Sequence, residues 1–119
     1  MNDNPNKRYH LTRLYEYVGK EAGPVKEMVD IFLHSTPEIL DQMAEAAENQ
    51  DFEIIYKTAH MLKPSLHIFG IDDMYNPVRE IELLAKKKEN FNAIYLLIAQ
   101  LQLRMEFVIQ QLRDDFDIQ

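Results

Sequence analysis

Apolar residues recur along this chain at spacings of three and four, and nowhere do they alternate convincingly with period two. That periodicity restricts the fold to packed helices. The pattern is cleanest where Phe52, Ile55, Tyr56, Ala59, Leu62, Leu66 and Phe69 share one face, with Gly70 following as a stop. Upstream, Leu11, Leu14, Tyr15 and Val18 predict a short first helix, its end bracketed by Gly19 and Gly23. Pro24 suits the first turn of a long second helix, where its missing N–H does no harm. The stripe of that helix runs through Val25, Met28, Val29, Phe32, Thr36, Ile39, Leu40, Met43 and Ala46, to about Glu48. Pro37 lies inside it and frees the carbonyl of Leu33, so a kink is expected. Asp51 is placed to cap the third helix, and Asp72 or Asp73 to cap a fourth. The fourth turns Met74, Val78, Ile81 and Ala85 inward and closes on Lys86, Lys87 and Lys88, which suit the negative end of the helix dipole. Ile94, Leu97, Leu101, Met105, Val108 and Leu112 mark a fifth.

Very short turns join the four longer helices, which makes sequential neighbours antiparallel. The expected fold is therefore all-α: an antiparallel up-down four-helix bundle with a short additional N-terminal helix. Residues 1–8 are polar and aperiodic and read as a flexible N-terminal tail, which leaves 9–119 as one helical-bundle domain. A chain of 119 residues is one domain's worth and can bury a real core.

Charge and composition narrow the function. A net charge of −7 argues against a general binder of nucleic acid, which needs a basic stripe. The absence of cysteine removes disulfides and thiolate metal sites. The first residues lack the apolar core of a secretory signal, and no apolar run approaches the roughly 20 residues of a membrane span. A cytoplasmic protein without membrane insertion is the expectation. A monomer is expected too, with Leu103, Phe107 and Phe116 as the apolar residues through which a homodimer would form.

Chemistry concentrates on the third helix. Lys57, His60, Lys63, Pro64 and His67 sit at −3, 0, +3, +4 and +7 from the histidine and so share one face. His60 follows the core position Ala59 and should lie at the edge of the exposed surface. A neutral imidazole is nucleophilic near pH 7 and can hold a phosphoryl group covalently. A lysine one turn away on either side, Lys63 or Lys57, would offset the added negative charge. No Gly-rich phosphate loop, kinase motif or adjacent carboxylate cluster for magnesium accompanies this face. The chain is thus expected to hold a phosphoryl group without taking one from ATP: it is not an enzyme in its own right and needs no cofactor. A histidine on a helix is more often merely solvated or a packing residue, and spacing alone does not decide between these.

The stretch Thr58-Ala59-His60-Met61-Leu62-Lys63-Pro64-Ser65, followed by Gly70, resembles the Ala-His-x-Leu-Lys-Gly-Ser pattern of histidine phosphotransfer (HPt) domains. Phe32-Leu33-x-x-Thr36-Pro37-x-x-Leu40 is similar to that family's second-helix pattern, and Asp51-Phe52 to the start of its histidine-bearing helix. The resemblance spans about residues 9–115. It implies a helical bundle that accepts a phosphoryl group on His60 from a receiver-domain aspartyl phosphate and passes it to another receiver, as one step of a phosphorelay. It also implies Lys63 as the positive neighbour, with Lys57 left by its spacing alone as a supporting charge, and response-regulator receivers and a sensor (hybrid) histidine kinase as partners. Any magnesium would belong to the receiver.

The chain departs from the family where small residues are usual: Pro64, Leu66 and His67 stand there. Leu66 belongs to the core stripe, whereas Pro64 and His67 fall on the His60 face, where a partner would dock. Pro64 also removes the hydrogen bond to the His60 carbonyl and should bend the helix. The rival reading is therefore a non-catalytic helical adaptor that kept the fold and binds a signalling partner without phosphotransfer. A metal centre is disfavoured. His60 and His67 lie about 10 Å apart along the helix, and the residues three before the four histidines are Lys7, Ile31, Lys57 and Pro64, not glutamates. His10 and His34 are expected to be solvated, Tyr56 to be core, and most of the six methionines to pack in core stripes.

Overall fold

A computed structural model describes residues 7–119, and every described element is helical. The helices are α1 (Thr12–Val18), α2 (Ala22–Glu48), α3 (Phe52–Ile68), α4 (Asp72–Lys87) and α5 (Phe91–Asp115). Three residues separate α2 from α3, α3 from α4 and α4 from α5, which holds sequential neighbours side by side. α2 packs on α3, α3 on α4, α4 on α5, and α5 returns to α2, so four helices close a ring, while α1 leans on α2 and α3. The long dimension of 44 Å is about that of the 27-residue α2 at ~1.5 Å per residue.

Inside the ring lies one core. Val29, Met43, Ile55, Leu62, Leu66, Ile81, Ile94, Leu101, Met105 and Leu112 are fully buried, as is Leu14 from α1. Each helix contributes the face its apolar spacing anticipates, with one shift in α5. There Ile98 takes the core position, while Leu97 is only half-buried. The series Ile94, Ile98, Leu101, Met105 keeps closer to one line along the helix. α2 runs on through Pro37, and α3 through Pro64.

The helix ends differ from expectation in places. Asp51 caps α3, accepting a hydrogen bond from the Ile54 amide at 3.2 Å. α4, by contrast, is preceded by Ile71, with no side-chain cap; Asp72 and Asp73 lie in its first turn, where their charge still suits the dipole. Gly19 ends α1, but Gly23 belongs to the first turn of α2. Gly70 stops α3 at φ +60, with the Ile71 amide bonded to the Leu66 carbonyl at 2.9 Å and its own amide to that of His67 at 3.1 Å.

Most of the expected tail, residues 1–6, lies outside the described residues. Lys7 and Arg8 touch α5: the Lys7 ammonium is 3.3 Å from Asp115, and the Arg8 amide donates to Gln111 Oε1 at 2.8 Å. Tyr9 is buried and its hydroxyl donates to Asp115; burial and that carboxylate push the phenol pKa far above its usual range. Phe116 is partly buried against the core, which removes it from the exposed apolar surface, whereas Leu103 and Phe107 are exposed. Among the described residues no helix is long and apolar enough to cross a membrane.

Candidate functional site

α3 packs most extensively on α4. The buried apolar residues of α3 are Ile55, Ala59, Leu62 and Leu66, and those of α4 are Met74, Val78, Ile81 and Ala85. His60 and Lys63 flank the buried stripe of α3, at the seam between the two helices. The His60 side chain is 64% exposed, as its offset from Ala59 anticipates.

Facing it across the seam is Glu82, whose side chain is only 10% exposed. One carboxylate oxygen, Oε2, lies 2.5 Å from His60 Nδ1, and the other, Oε1, accepts from Lys63 Nζ at 2.6 Å. The Lys63 side chain, at 22% exposure, is tucked towards this carboxylate. Burial drives the Glu82 pKa up, but the hydrogen bonds and charges of Lys63 and His60 outweigh it and hold it below the usual carboxylate range. Glu82 is therefore ionised at neutral pH.

An ionised carboxylate can only accept, so Nδ1 must carry the proton of a neutral His60. Nε2 then holds the ring's lone pair, and it has no hydrogen-bond partner among the described residues. The Tyr56 ring stacks alongside at 6.1 Å between centroids, 16° from parallel. It is partly buried and packs against the core.

An open groove of about 370 Å³ adjoins the histidine, lined by His60, Lys63, Pro64, His67 and Tyr75. The structure thus brings four of the five residues singled out on this face to one depression. Lys57 is exposed, lines no part of the groove, and makes no hydrogen bond or ion pair with a described residue. His67 also borders a second groove of about 440 Å³ with His10, Thr12, Arg13, Glu16 and Tyr17. There Arg13 donates to the His67 carbonyl at 2.8 Å and to Asp72 at 2.7 Å. The Arg13 guanidinium, then burial working against it, then His10 set the Asp72 pKa, with a net lowering. His10 is exposed but not simply solvated, since its Nε2 meets Asp72 at 3.0 Å. His34 is exposed with Nδ1 2.8 Å from the Asp30 carbonyl.

Sequence reasoning missed Glu82 and Tyr75. A signal for Glu82 existed: it follows Val78 by four and Ile81 by one, so a charged residue interrupts an otherwise apolar helical stripe. A carboxylate in that setting requires a partner. Among the methionines, Met43, Met74 and Met105 are core, but Met61 is exposed beside His60 in the chain.

Fold and site together define an all-helical module that presents a hydrogen-bonded, solvent-exposed histidine beside a lysine. The Hpt domain family matches this chain over residues 27–115, and the chain belongs to that family. No curated protein and no solved structure gives a significant match. Hpt domains are phosphocarrier modules, not kinases. They take part in phosphorelays of two-component systems together with receiver domains and histidine kinases.

Proposed function

We propose that this chain accepts a phosphoryl group on Nε2 of His60 from a receiver-domain aspartyl phosphate and returns it to the aspartate of another receiver. The observation that carries the reading is the His60–Glu82 hydrogen bond at an exposed imidazole. It ties down one ring nitrogen and leaves the other, with its lone pair, at the surface. In the transfer, the Nε2 lone pair forms the N–P bond while the P–O bond to the donor carboxylate breaks, its electron pair leaving on that carboxylate. The ring becomes cationic as the bond forms, and Glu82, facing Nδ1–H, offsets that charge. A carboxylate behind a catalytic histidine acts in the same sense in hydrolytic triads. The reverse step hands the group on to the next receiver.

Lys63 adds positive charge at the seam, and Lys57 adds a more distant one. Pro64 and His67, on the groove beside His60, would meet the docking receiver. No nucleotide-binding motif accompanies the histidine, so the phosphoryl group must come from a phosphorylated partner or a sensor kinase.

Incubation with a phosphorylated receiver should give acid-labile, alkali-stable label on this chain, and incubation with ATP and magnesium alone should give none. His60→Gln should abolish the label, while substitution of His10, His34 or His67 should leave it chemically possible. Label that survives His60→Gln moves the site elsewhere. A folded chain that no receiver or kinase of its own organism labels is the adaptor, not the carrier.

A further inference from the structure

We propose that the outer face of α5 is a self-complementary docking surface through which two copies of this chain form a weak antiparallel homodimer. The inference does not depend on the phosphocarrier reading, because α5 lies across the bundle from the helix that carries His60. Among the described residues α5 packs on α4 and α2 and not on α3. Two copies joined through α5 therefore leave both histidines open.

α5 carries two apolar faces. Ile94, Ile98, Leu101, Met105, Val108 and Leu112 fill the core. Leu96, Leu103 and Phe107 stand outside it, 63%, 61% and 60% exposed. With Gln100 they fall at spacings of four, three and four, the seam spacing of a coiled coil. That seam has no charged residue, in a chain where 28% of residues are charged. One apolar stripe is enough to seat a helix in its own bundle, so the second is available to a partner.

Shape and charge favour a second copy as that partner. The groove on this face, about 350 Å³, is lined by Arg8, Met74, Gln100, Leu103, Arg104 and Phe107. Phe107 is thus both a protruding ring and part of the wall of a hollow, so one patch offers knob and hole. An isologous two-fold contact requires that combination. An axis midway along the seam lays Leu96 against Phe107 of the second copy and Gln100 against Leu103 of the second copy. The net charge of −7 makes two copies repel in general. Among the described residues, however, the charged groups lining this groove are Arg8 and Arg104, with no carboxylate beside them. Repulsion between acidic copies is least where each presents arginines. Size sets the strength. Leu96 and Phe107 are eleven positions apart, about 16 Å of helix. A face of that length covers less than the roughly 800 Å² per partner of a stable dimer, so the association is weak, micromolar or weaker.

Sedimentation equilibrium of the full chain tests this. The mean mass should rise from the 14.1 kDa of one chain towards twice that value between about 10 μM and about 1 mM. Phe107→Glu and Leu96→Glu should each weaken association at least about tenfold. Both side chains are exposed, so the helical signal should not change; should one variant lose its fold, the other decides. Met61→Glu adds the same charge at an exposed site on α3 and should leave association as it was. The chain has no cysteine, so single cysteines report the orientation. Gln100→Cys, near the axis, should give a disulfide-linked dimer, whereas Gln110→Cys, beyond the end of the seam, should not. Three results overturn the proposal. A mass that stays at one chain up to about 1 mM leaves the face to some other partner. Equal weakening by Met61→Glu marks general charge repulsion and not this surface. Equal linkage at both cysteine positions marks a parallel or chance contact.

Discussion

At the scale of single residues, the site depends on a charge that lies out of the solvent. Glu82 is flanked by apolar neighbours, and its ionised form is held by Lys63 and His60. Its folded-state pKa lies below the ordinary value, so the folded chain binds fewer protons than the unfolded chain as the pH falls. The stability from this group is complete above the unfolded pKa and is lost as pH drops through the folded one. Urea midpoints of wild type and Glu82→Gln, compared between about pH 5 and 3, should therefore converge or cross towards acid, with wild type losing more. A difference that stays constant over that range would mean that Glu82 titrates alike in both states, and that its hydrogen bonds are no stronger than water's.

At the scale of elements, α3 carries the site and its two ends set the orientation of its face. Asp51 fixes the start and Gly70 the stop. Gly70 has φ +60, and a Cβ built there would fall 2.5 Å from the His10 ring. Gly70→Ala should therefore destabilise the domain by about 1–2 kcal/mol from backbone strain alone, with a further loss from displacing His10. Chemical denaturation of Gly70→Ala and of Gly70→Ala/His10→Ala separates the two contributions. Identical losses in both would show that the ring moves aside freely. Pro64 lies inside α3, which continues as a helix to Ile68.

At the scale of the molecule, the family match covers 27–115, while the folded unit extends further. Tyr9 is buried, the His10 amide bonds the Phe69 carbonyl at 3.2 Å, and Leu14 of α1 is fully buried in the same core. The segment before α2 is thus part of the bundle, and through Arg13 it reaches the carbonyl of His67 on the groove that borders His60. Leu14→Ala should cost about 2–5 kcal/mol, as for other fully buried leucines. Thermal or urea unfolding followed by helical signal measures it. A loss below about 1 kcal/mol would show α1 to be an appendage whose removal the core tolerates.

The sequence by itself determined the five helices, nearly all of their buried faces, and the exposure of His60 beside Ala59. Those properties follow from spacings within one helix, where three or four residues bring side chains to the same face. What only the tertiary structure decided lies across the α3–α4 seam. Glu82 is 22 positions from His60 and 19 from Lys63, and no local periodicity pairs residues on different helices. The choice between Ile98 and Leu97 for the core, and the capture of His10 and Arg13 by Asp72, were likewise settled by packing. Helix formation is a local matter of backbone geometry. The proton on His60 depends on a carboxylate that only the folded bundle brings within 2.5 Å and shields from water.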